Sequence, residues 1–545
     1  MIPLTAEADG WVNDTLNTMT LPQMVGQLLC ASNPKFKTSD WLDLLEKVPL
    51  GALTVRGSST VEARHRLQAL QSRAAIPLLV AGDLEHGAVA LQDATEFPWM
   101  MAAGAADDVG LMTQMGLATA AEARYAGLHL AFAPVVDLNY NFNNPITNIR
   151  AISDQPERVI RLATAFIQGL QGNGTMAATA KHFPGDGIDD RDQHLSTTIN
   201  NLPLDQWQDT YGRVWRAVIK AGVMCIMVGH ISLPAYQGFA DNPGDALPAT
   251  LSPKLVNDLL REELGFDGLL ISDASGMVGL TSRISKEQQA VECIKSGLDL
   301  YLFPDTLNDY ERLLKAVKTG QLSESRLREA TRRVLEMKTR LNLHHDPFGP
   351  QPFPADMENF QQAAQSMADQ SITILRADSR PPIKLPPGSH VLTVTIGQPS
   401  PFNKMMPPPN LLTFDHELTN RGFQVEHLQN PEDDILAEKA AQHDAVFVNL
   451  VALPYMTMGT IRNLVGHLGH WYWRSLFADH DHVCFTSFGN PYLLHEMPHL
   501  PNLLTAYGDS PVSQRSAVKV WLGEIEAKGT CPVRLPQVRI QPLST

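Results

Sequence analysis

The patterning of the chain predicts an α/β protein: a TIM-type (β/α)8 barrel followed by a smaller α/β sandwich domain. Three observations carry that expectation. Short apolar runs recur along the first part of the chain, longer amphipathic segments separate them, and polar residues stand repeatedly where the runs end. A run that is apolar at every position is buried on both faces, as in parallel sheets covered by helices. Repeated strand-helix units suit a barrel, and 545 residues exceed one ordinary core, so a second domain is expected.

Taken in order, Thr20-Leu21-Pro22-Gln23 followed by Met24, Val25, Leu28 and Leu29 supplies a cap, a first-turn Pro and helical apolar spacing. A helix therefore opens the domain. Strands are expected over 50–55, 77–83, 130–137, 176–182, 223–230, 268–273 and 298–303. Between them lie helical patterns over 61–74, 109–125, 157–170, 206–221, 253–263, 286–296 and 308–319. A helix over 323–342, with Leu327, Ala330 and Val334 on one stripe, closes a first domain of residues 1–344. Closely spaced prolines then mark a linker, 345–356. Residues 357–545 form the second domain, with a helix over 358–370 and apolar runs at 372–375, 391–396, 445–451 and 483–488.

Asp83, Asp137, Lys181 with His182, His230 and Asp273 each end a predicted strand. In a barrel, that edge is the active-site face. An open doubly wound sheet would also place function there, so this register fixes the face and leaves the closure open.

The formal charge of −15 argues against nucleic acid and anionic membranes as partners, which require basic patches. No basic n-region with an apolar stretch begins the sequence and no apolar run is long enough to span a bilayer, so a cytoplasmic location is expected. Cys30, Cys225, Cys293, Cys484 and Cys531 are odd in number and far apart, and read as core residues in a reducing compartment.

The most informative stretch runs from Lys181 to His194. Pro184, Gly185 and Gly187 forbid a continuing strand or helix, so a loop follows, and Asp186, Asp189, Asp190, Arg191, Asp192 and His194 crowd it with ionisable groups. A solvated surface loop or a metal site would also explain acidic residues. The Asp spacing does not reproduce a calcium loop, however, and one His beside scattered Asp is no zinc signature, so no metal or other cofactor is expected. In an extended segment Asp192 and His194 would point to the same side, where the carboxylate sets the tautomer of an imidazole able to exchange protons near neutral pH. Asp273, in Leu269-Leu-Ile-Ser-Asp-Ala-Ser-Gly-Met277, is a carboxylate delivered by an apolar strand to the pocket rim. It serves equally as a nucleophile or as a helix cap.

Lys-His-Phe-Pro-Gly, the second glycine at Gly187 and the closing Asp-x-His resemble the catalytic loop of glycoside hydrolase family 3, in its β-N-acetylglucosaminidase branch. The β-glucosidase branch shares the Lys-His and lacks the Asp-x-His. Thr486–Leu493, Leu504–Gly508 and Cys531–Pro536 resemble the second domain of the same family. The resemblance implies Asp273 as nucleophile and His194 as proton donor, held and polarised by Asp192. It implies Asp83, Arg150, Lys181 and His182 as sugar-binding residues, although a salt bridge to Asp154 would also account for Arg150. His230 is expected to act behind the reacting groups. Two departures bear on the leaving-group side: Asp186 stands where related loops often have His, and Leu84-Glu-His-Gly87 replaces the usual Gln-Glu-Gly-Gly.

The function so implied is a retaining exo-β-N-acetylglucosaminidase acting on a carbohydrate, cell-wall fragments or chitin oligosaccharides, through a glycosyl-aspartate. A phosphorylase using the same residues, a β-glucosidase and a catalytically silent glycan-binding protein are the alternatives. Composition leaves the oligomeric state open.

Overall fold

Short all-apolar runs become parallel strands in the computed structural model, which describes residues 3–33, 37–348, 356–377, 382–397, 411–454, 482–498, 500 and 502–535. The chain divides into two compact units: Met1–Glu96, Val109–Leu138 and Val159–Gln361 form the first, and Phe97–Asp108, Asn139–Arg158 and Gln362–Thr545 the second.

In the first unit the strands are β1 (Leu29–Ala31), β2 (Ala52–Thr54), β3 (Leu79–Gly82), β4 (Leu130–Ala131), β5 (Ala177–Phe183), β6 (Thr198–Ile199), β7 (Cys225–Val228), β8 (Ile231–Ser232), β9 (Leu269–Ser272) and β10 (Tyr301–Leu302). Eight of them pair in the order β10-β1-β2-β3-β4-β5-β7-β9. The ring closes where Ile271 bridges Leu300 and the Ser272 amide donates to the Leu300 carbonyl at 3.0 Å. The barrel is therefore the architecture, and the open sheet is excluded. Its interior is filled by small and branched side chains such as Cys30, Ala52, Leu79, Leu130 and Ile271. The helix Glu324–Arg340, capped by Ser323, adds Val334 and Met337 to that core. All five cysteines are free, and burial pushes the Cys225 thiol up to about 12.

Among the elements that depart from the expected pattern are β1 and the helix after the loop that follows β5. β1 begins inside the run read as helix, because the helix Leu21–Gln27 stops at its Leu28 cap and three strand residues follow at once. The expected helix over 206–221 breaks at Thr210 into Leu204–Asp209 and Tyr211–Lys220. Trp207 and Trp215, from the two halves, each donate to the Pro184 carbonyl at 3.1 Å, so the broken helix anchors the loop that follows β5. Outside the barrel, β6 pairs with β8, fastening the far end of that loop to the segment after β7.

The second unit holds a six-stranded sheet of β11 (Thr373–Ala377), β12 (His390–Ile396), β13 (Gln424–Gln429), β14 (Ala445–Leu450), β15 (Val483–Ser487) and β16 (Asn502–Thr505), in the order β11-β16-β15-β14-β12-β13. Only the β11 and β16 pair is antiparallel. Side chains along a strand alternate between faces. Phe447 accordingly packs into one core with Phe414 and Trp521, and Val446 and Val448 into another with Leu436 and Phe485. Covered on both faces, the sheet makes an α/β sandwich.

The segments Phe97–Asp108 and Asn139–Arg158 share the core of this second unit, through Met101, Ala105 and Ile149. The Thr530 amide donates to the Ala105 carbonyl at 3.1 Å and the Asp154 amide to the Pro532 carbonyl at 3.4 Å. Apolar periodicity reports that a face is buried without saying in which core, so the sequence draws 1–344 as one run. Residues 349–355 of the expected linker lie outside the described residues. Among the described residues no helix is long and apolar enough to cross a membrane.

Candidate active site

β9 delivers Asp273 to the C-terminal edge of the barrel, with its amide donating to the Val228 carbonyl of β7 at 2.9 Å. The side chain is 12 % exposed. Its Oδ1 accepts from the Ala274 amide at 2.7 Å, and its Oδ2 lies 4.0 Å from His182 Nε2. Burial alone would raise this carboxyl, yet it is held below the ordinary carboxylate range, chiefly by the His182 imidazole, then by His230, the Ala274 amide and His194. An ionised carboxylate with one oxygen not hydrogen-bonded is what a nucleophile requires.

β5 supplies the neighbouring pair. His182 Nδ1 donates to Asp137 Oδ2 at 2.7 Å, and the His182 and Asp186 amides donate to Asp137 Oδ1 at 3.2 and 2.7 Å. Asp137 thereby fixes the ring and turns Nε2 toward Asp273. Lys181 Nζ lies 2.7 Å from Glu85 and 3.8 Å from Asp83. Asp83 also meets Arg56 at 2.5 Å, and its side chain remains 42 % exposed. A carboxylate held between two cations and still open to solvent is suited to accept hydrogen bonds from hydroxyl groups.

In the loop after β5, His194 Nδ1 lies 2.7 Å from Asp192 Oδ1, which also accepts from the His194 amide at 2.8 Å. The contact arises through a turn, in which the Asp192 carbonyl accepts from the Leu195 and Ser196 amides, and not from an extended segment. The imidazole is 23 % exposed while Asp192 is buried. With Nδ1 engaged by a carboxylate, Nε2 is the ring nitrogen left for proton exchange. His194 acts electrostatically on both Asp273 and His230.

His230 is fully buried, which lowers its pKa. Its Nε2 donates to the Ala274 carbonyl at 3.0 Å and its Nδ1 accepts from the Thr250 hydroxyl at 2.9 Å. It thus braces the peptide next to Asp273. Arg150 belongs to the second unit, on a 3-10 turn, with Nη1 donating to the Ile146 carbonyl at 3.1 Å. Asp154 in that unit accepts from the Arg534 amide at 2.8 Å.

Three residues of this arrangement were absent from the sequence-derived site: Arg56, Glu85 and Asp137. Asp137 carried a signal, since it ends a predicted strand; Arg56 and Glu85 carried none beyond lying near strand ends. Asp186 is 1 % exposed, and burial and the neighbouring Asp137 push its carboxyl up to about 7. A cavity of about 540 Å³ opens beside the turn after Asp273, lined by Ser275, Gly276, Lys286, Gln289, Phe303 and Asp305 among others. Asp273, His182 and His194 are not in its walls.

The arrangement pairs a desolvated carboxylate with a carboxylate-held imidazole on one barrel face, and the family model for the glycosyl hydrolase family 3 N terminal domain matches residues 20–337. The chain belongs to glycosyl hydrolase family 3. It is a glycosidase. This family 3 protein is 32% identical over 97% of both chains to a β-N-acetylglucosaminidase/β-glucosidase of Cellulomonas fimi. Among solved structures it resembles the β-glucoside phosphorylase BglX bound to 2FGlc, with a TM-score of 0.88, 30% identity and 97% of each chain covered. It also resembles a family 3 β-N-acetylglucosaminidase from Paenibacillus sp. str. FPU-7, with a TM-score of 0.84, 26% identity, and 95% of this chain and 99% of that one covered.

Proposed function

We propose that this family 3 glycosidase is a retaining exo-β-N-acetylglucosaminidase that removes terminal β-linked N-acetylglucosamine through a covalent glycosyl-aspartate. One observation carries the reading. Asp273 is kept ionised with Oδ2 turned to a reactive imidazole cluster, while an Asp192-bound His194 stands near enough to feel its charge.

In the first step Asp273 Oδ2 forms a bond to the anomeric carbon as the glycosidic bond breaks, and His194 Nε2 gives its proton to the departing oxygen. The Asp192 carboxylate orients the ring throughout. In the second step His194 takes a proton from water, whose oxygen attacks the anomeric carbon and frees Asp273. Asp83 and Lys181 accept and donate hydrogen bonds to sugar hydroxyls, and His182 both binds and holds Asp273 ionised. Arg150 is carried as a binding residue on the resemblance alone.

A second reading, phosphorolysis of the same intermediate, is favoured by the likeness to BglX. A His donor carries no negative charge to repel an incoming phosphate. The test is product release from aryl β-N-acetylglucosaminide and aryl β-glucoside, with and without phosphate, by wild type, Asp273→Ala and His194→Ala. Cleavage of the N-acetyl substrate that Asp273→Ala abolishes supports the proposal. Turnover that requires phosphate moves it to the phosphorylase, turnover of the glucoside alone to a β-glucosidase, and activity surviving in Asp273→Ala overturns the mechanism.

A further inference from the structure

The residue between the proposed acid and its carboxylate is Gln193, and it is 2 % exposed. Its amide Nε2 donates to Asp186 Oδ2 at 2.9 Å, its Oε1 accepts from the His230 amide at 2.8 Å, and its carbonyl accepts from the Gly279 amide at 2.9 Å. Asp186 is itself fixed: its Oδ1 accepts from the Gly187 amide at 2.7 Å, its amide donates to Asp137, and its carbonyl accepts from the Tyr211 hydroxyl at 2.7 Å. A Cβ at Gly279 would lie 2.8 Å from the Gln193 carbonyl and 2.9 Å from His230 Cβ, so only glycine lets these segments approach. Gln193 therefore joins the base of the loop, the chain after β7 and the turn behind Asp273.

Resting on the proposed role of His194 as proton donor, we propose that Gln193 is the positioning residue that seats the Asp192–His194 pair, through its amide bridge from Asp186 to His230. The bridge has a fixed polarity. The His230 amide can only donate, which holds Gln193 Oε1 toward it and leaves the Gln193 N–H for Asp186 Oδ2, and a primary amide supplies both from one group. A buried glutamine that merely filled space would not need that polarity.

A glutamate at this position supplies the acceptor and loses the donor, setting a second carboxylate against Asp186. Asp186 already faces Asp137, His182 and Asp189, with Tyr211 bonding its carbonyl. Exchanging both residues, Asp186→Asn with Gln193→Glu, reverses the direction of the central hydrogen bond and keeps every partner. The Asn side chain donates to the new carboxylate, its oxygen still accepts from Gly187, and the second carboxylate oxygen still accepts from His230.

The experiment compares kcat/KM for a disaccharide of β-linked N-acetylglucosamine with that for the 2,4-dinitrophenyl glycoside, whose leaving group departs without a proton. Gln193→Ala and Gln193→Glu are expected to lose about 100-fold on the disaccharide and no more than about 3-fold on the dinitrophenyl substrate, the pattern of a misplaced general acid. The Gln193→Glu loss is expected to shrink as pH falls and one proton is shared between the two carboxyls. The double exchange is expected to recover most of the disaccharide activity at neutral pH. Equal losses on both substrates, or a double variant no better than Gln193→Glu, would overturn the proposal; should Gln193→Ala not fold, the second comparison decides. His194→Ala is run alongside. If it shows no leaving-group dependence, the donor reading fails and the seating falls with it; if it does while Gln193→Ala does not, the seating alone fails.

Discussion

Two buried aspartates stand at opposite ends of β9, and they are satisfied in opposite ways. Asp299, at the entry side, is fully buried and accepts from Arg326 and Arg333 at 2.9 and 3.1 Å, from Arg261 at 2.7 Å and from the Leu270 amide at 3.0 Å. Both its oxygens are saturated, three of the four donors being permanent cations. Asp273, at the exit side, has one backbone hydrogen bond and a His182 nitrogen at 4.0 Å. Both carboxyls are held below their ordinary range against the upward pull of burial, Asp299 by Arg261, Arg333 and Arg326 and Asp273 chiefly by His182. A structural carboxylate is thus surrounded until nothing remains to react. A reacting one is kept charged at a distance, by groups that leave an oxygen unoccupied.

Replacement of the two residues separates these roles most sharply. Asp273→Ala is expected to lower kcat by roughly 10⁴-fold or more while lowering the melting temperature less than Asp299→Asn does, since one backbone hydrogen bond and no guanidinium are left without a partner. A stability loss as large as that of Asp299→Asn would contradict the contrast. Asp299→Asn is expected to cost about 3–5 kcal/mol in urea unfolding at neutral pH, because it leaves three guanidinium groups without their buried counter-charge. The kcat of the folded fraction should not change.

Acid sharpens the same comparison. A carboxyl whose pKa is depressed in the folded state gives stability that is fully present above the unfolded value of about 4 and is lost as pH falls through the depressed value. The stability difference between wild type and Asp299→Asn should therefore be greatest at neutral pH and shrink progressively below about pH 4. The depressed pKa of Asp273 should appear as the acid limb of kcat/KM. His182→Gln removes the leading group that lowers it and should move that limb to higher pH. A limb that stays in place would assign the depression to another group.

The sequence made the barrel legible because strands buried on both faces lose alternation, and that pattern survives without knowledge of contacts. β1 was hidden by continuity: Leu28 and Leu29 extend the apolar spacing of the preceding helix, and a three-residue strand has no period of its own. β13 escaped for the opposite reason, as an edge strand whose Gln424, Glu426 and His427 read as surface. In the site, Asp192 and His194 were marked by residue type and spacing, though the turn that joins them was not. Asp186 and Gln193 stand in the same loop, where nothing in a linear pattern distinguishes a buried acid from a solvated one.

The division of the chain into units has a consequence for synthesis. Residues 97–108 and 139–158 are made early, yet they pack with Phe447 and Trp521 and bond to residues 530 and 532. On a ribosome their partners are hundreds of residues away in time as well as in sequence. The barrel can form its strand pairs as they emerge, while these two segments wait with apolar faces uncovered until nearly the last residue of the second unit is released. Vectorial production thus leaves a long interval in which these two segments lack their partners, and ending the chain at residue 361 would make that interval permanent.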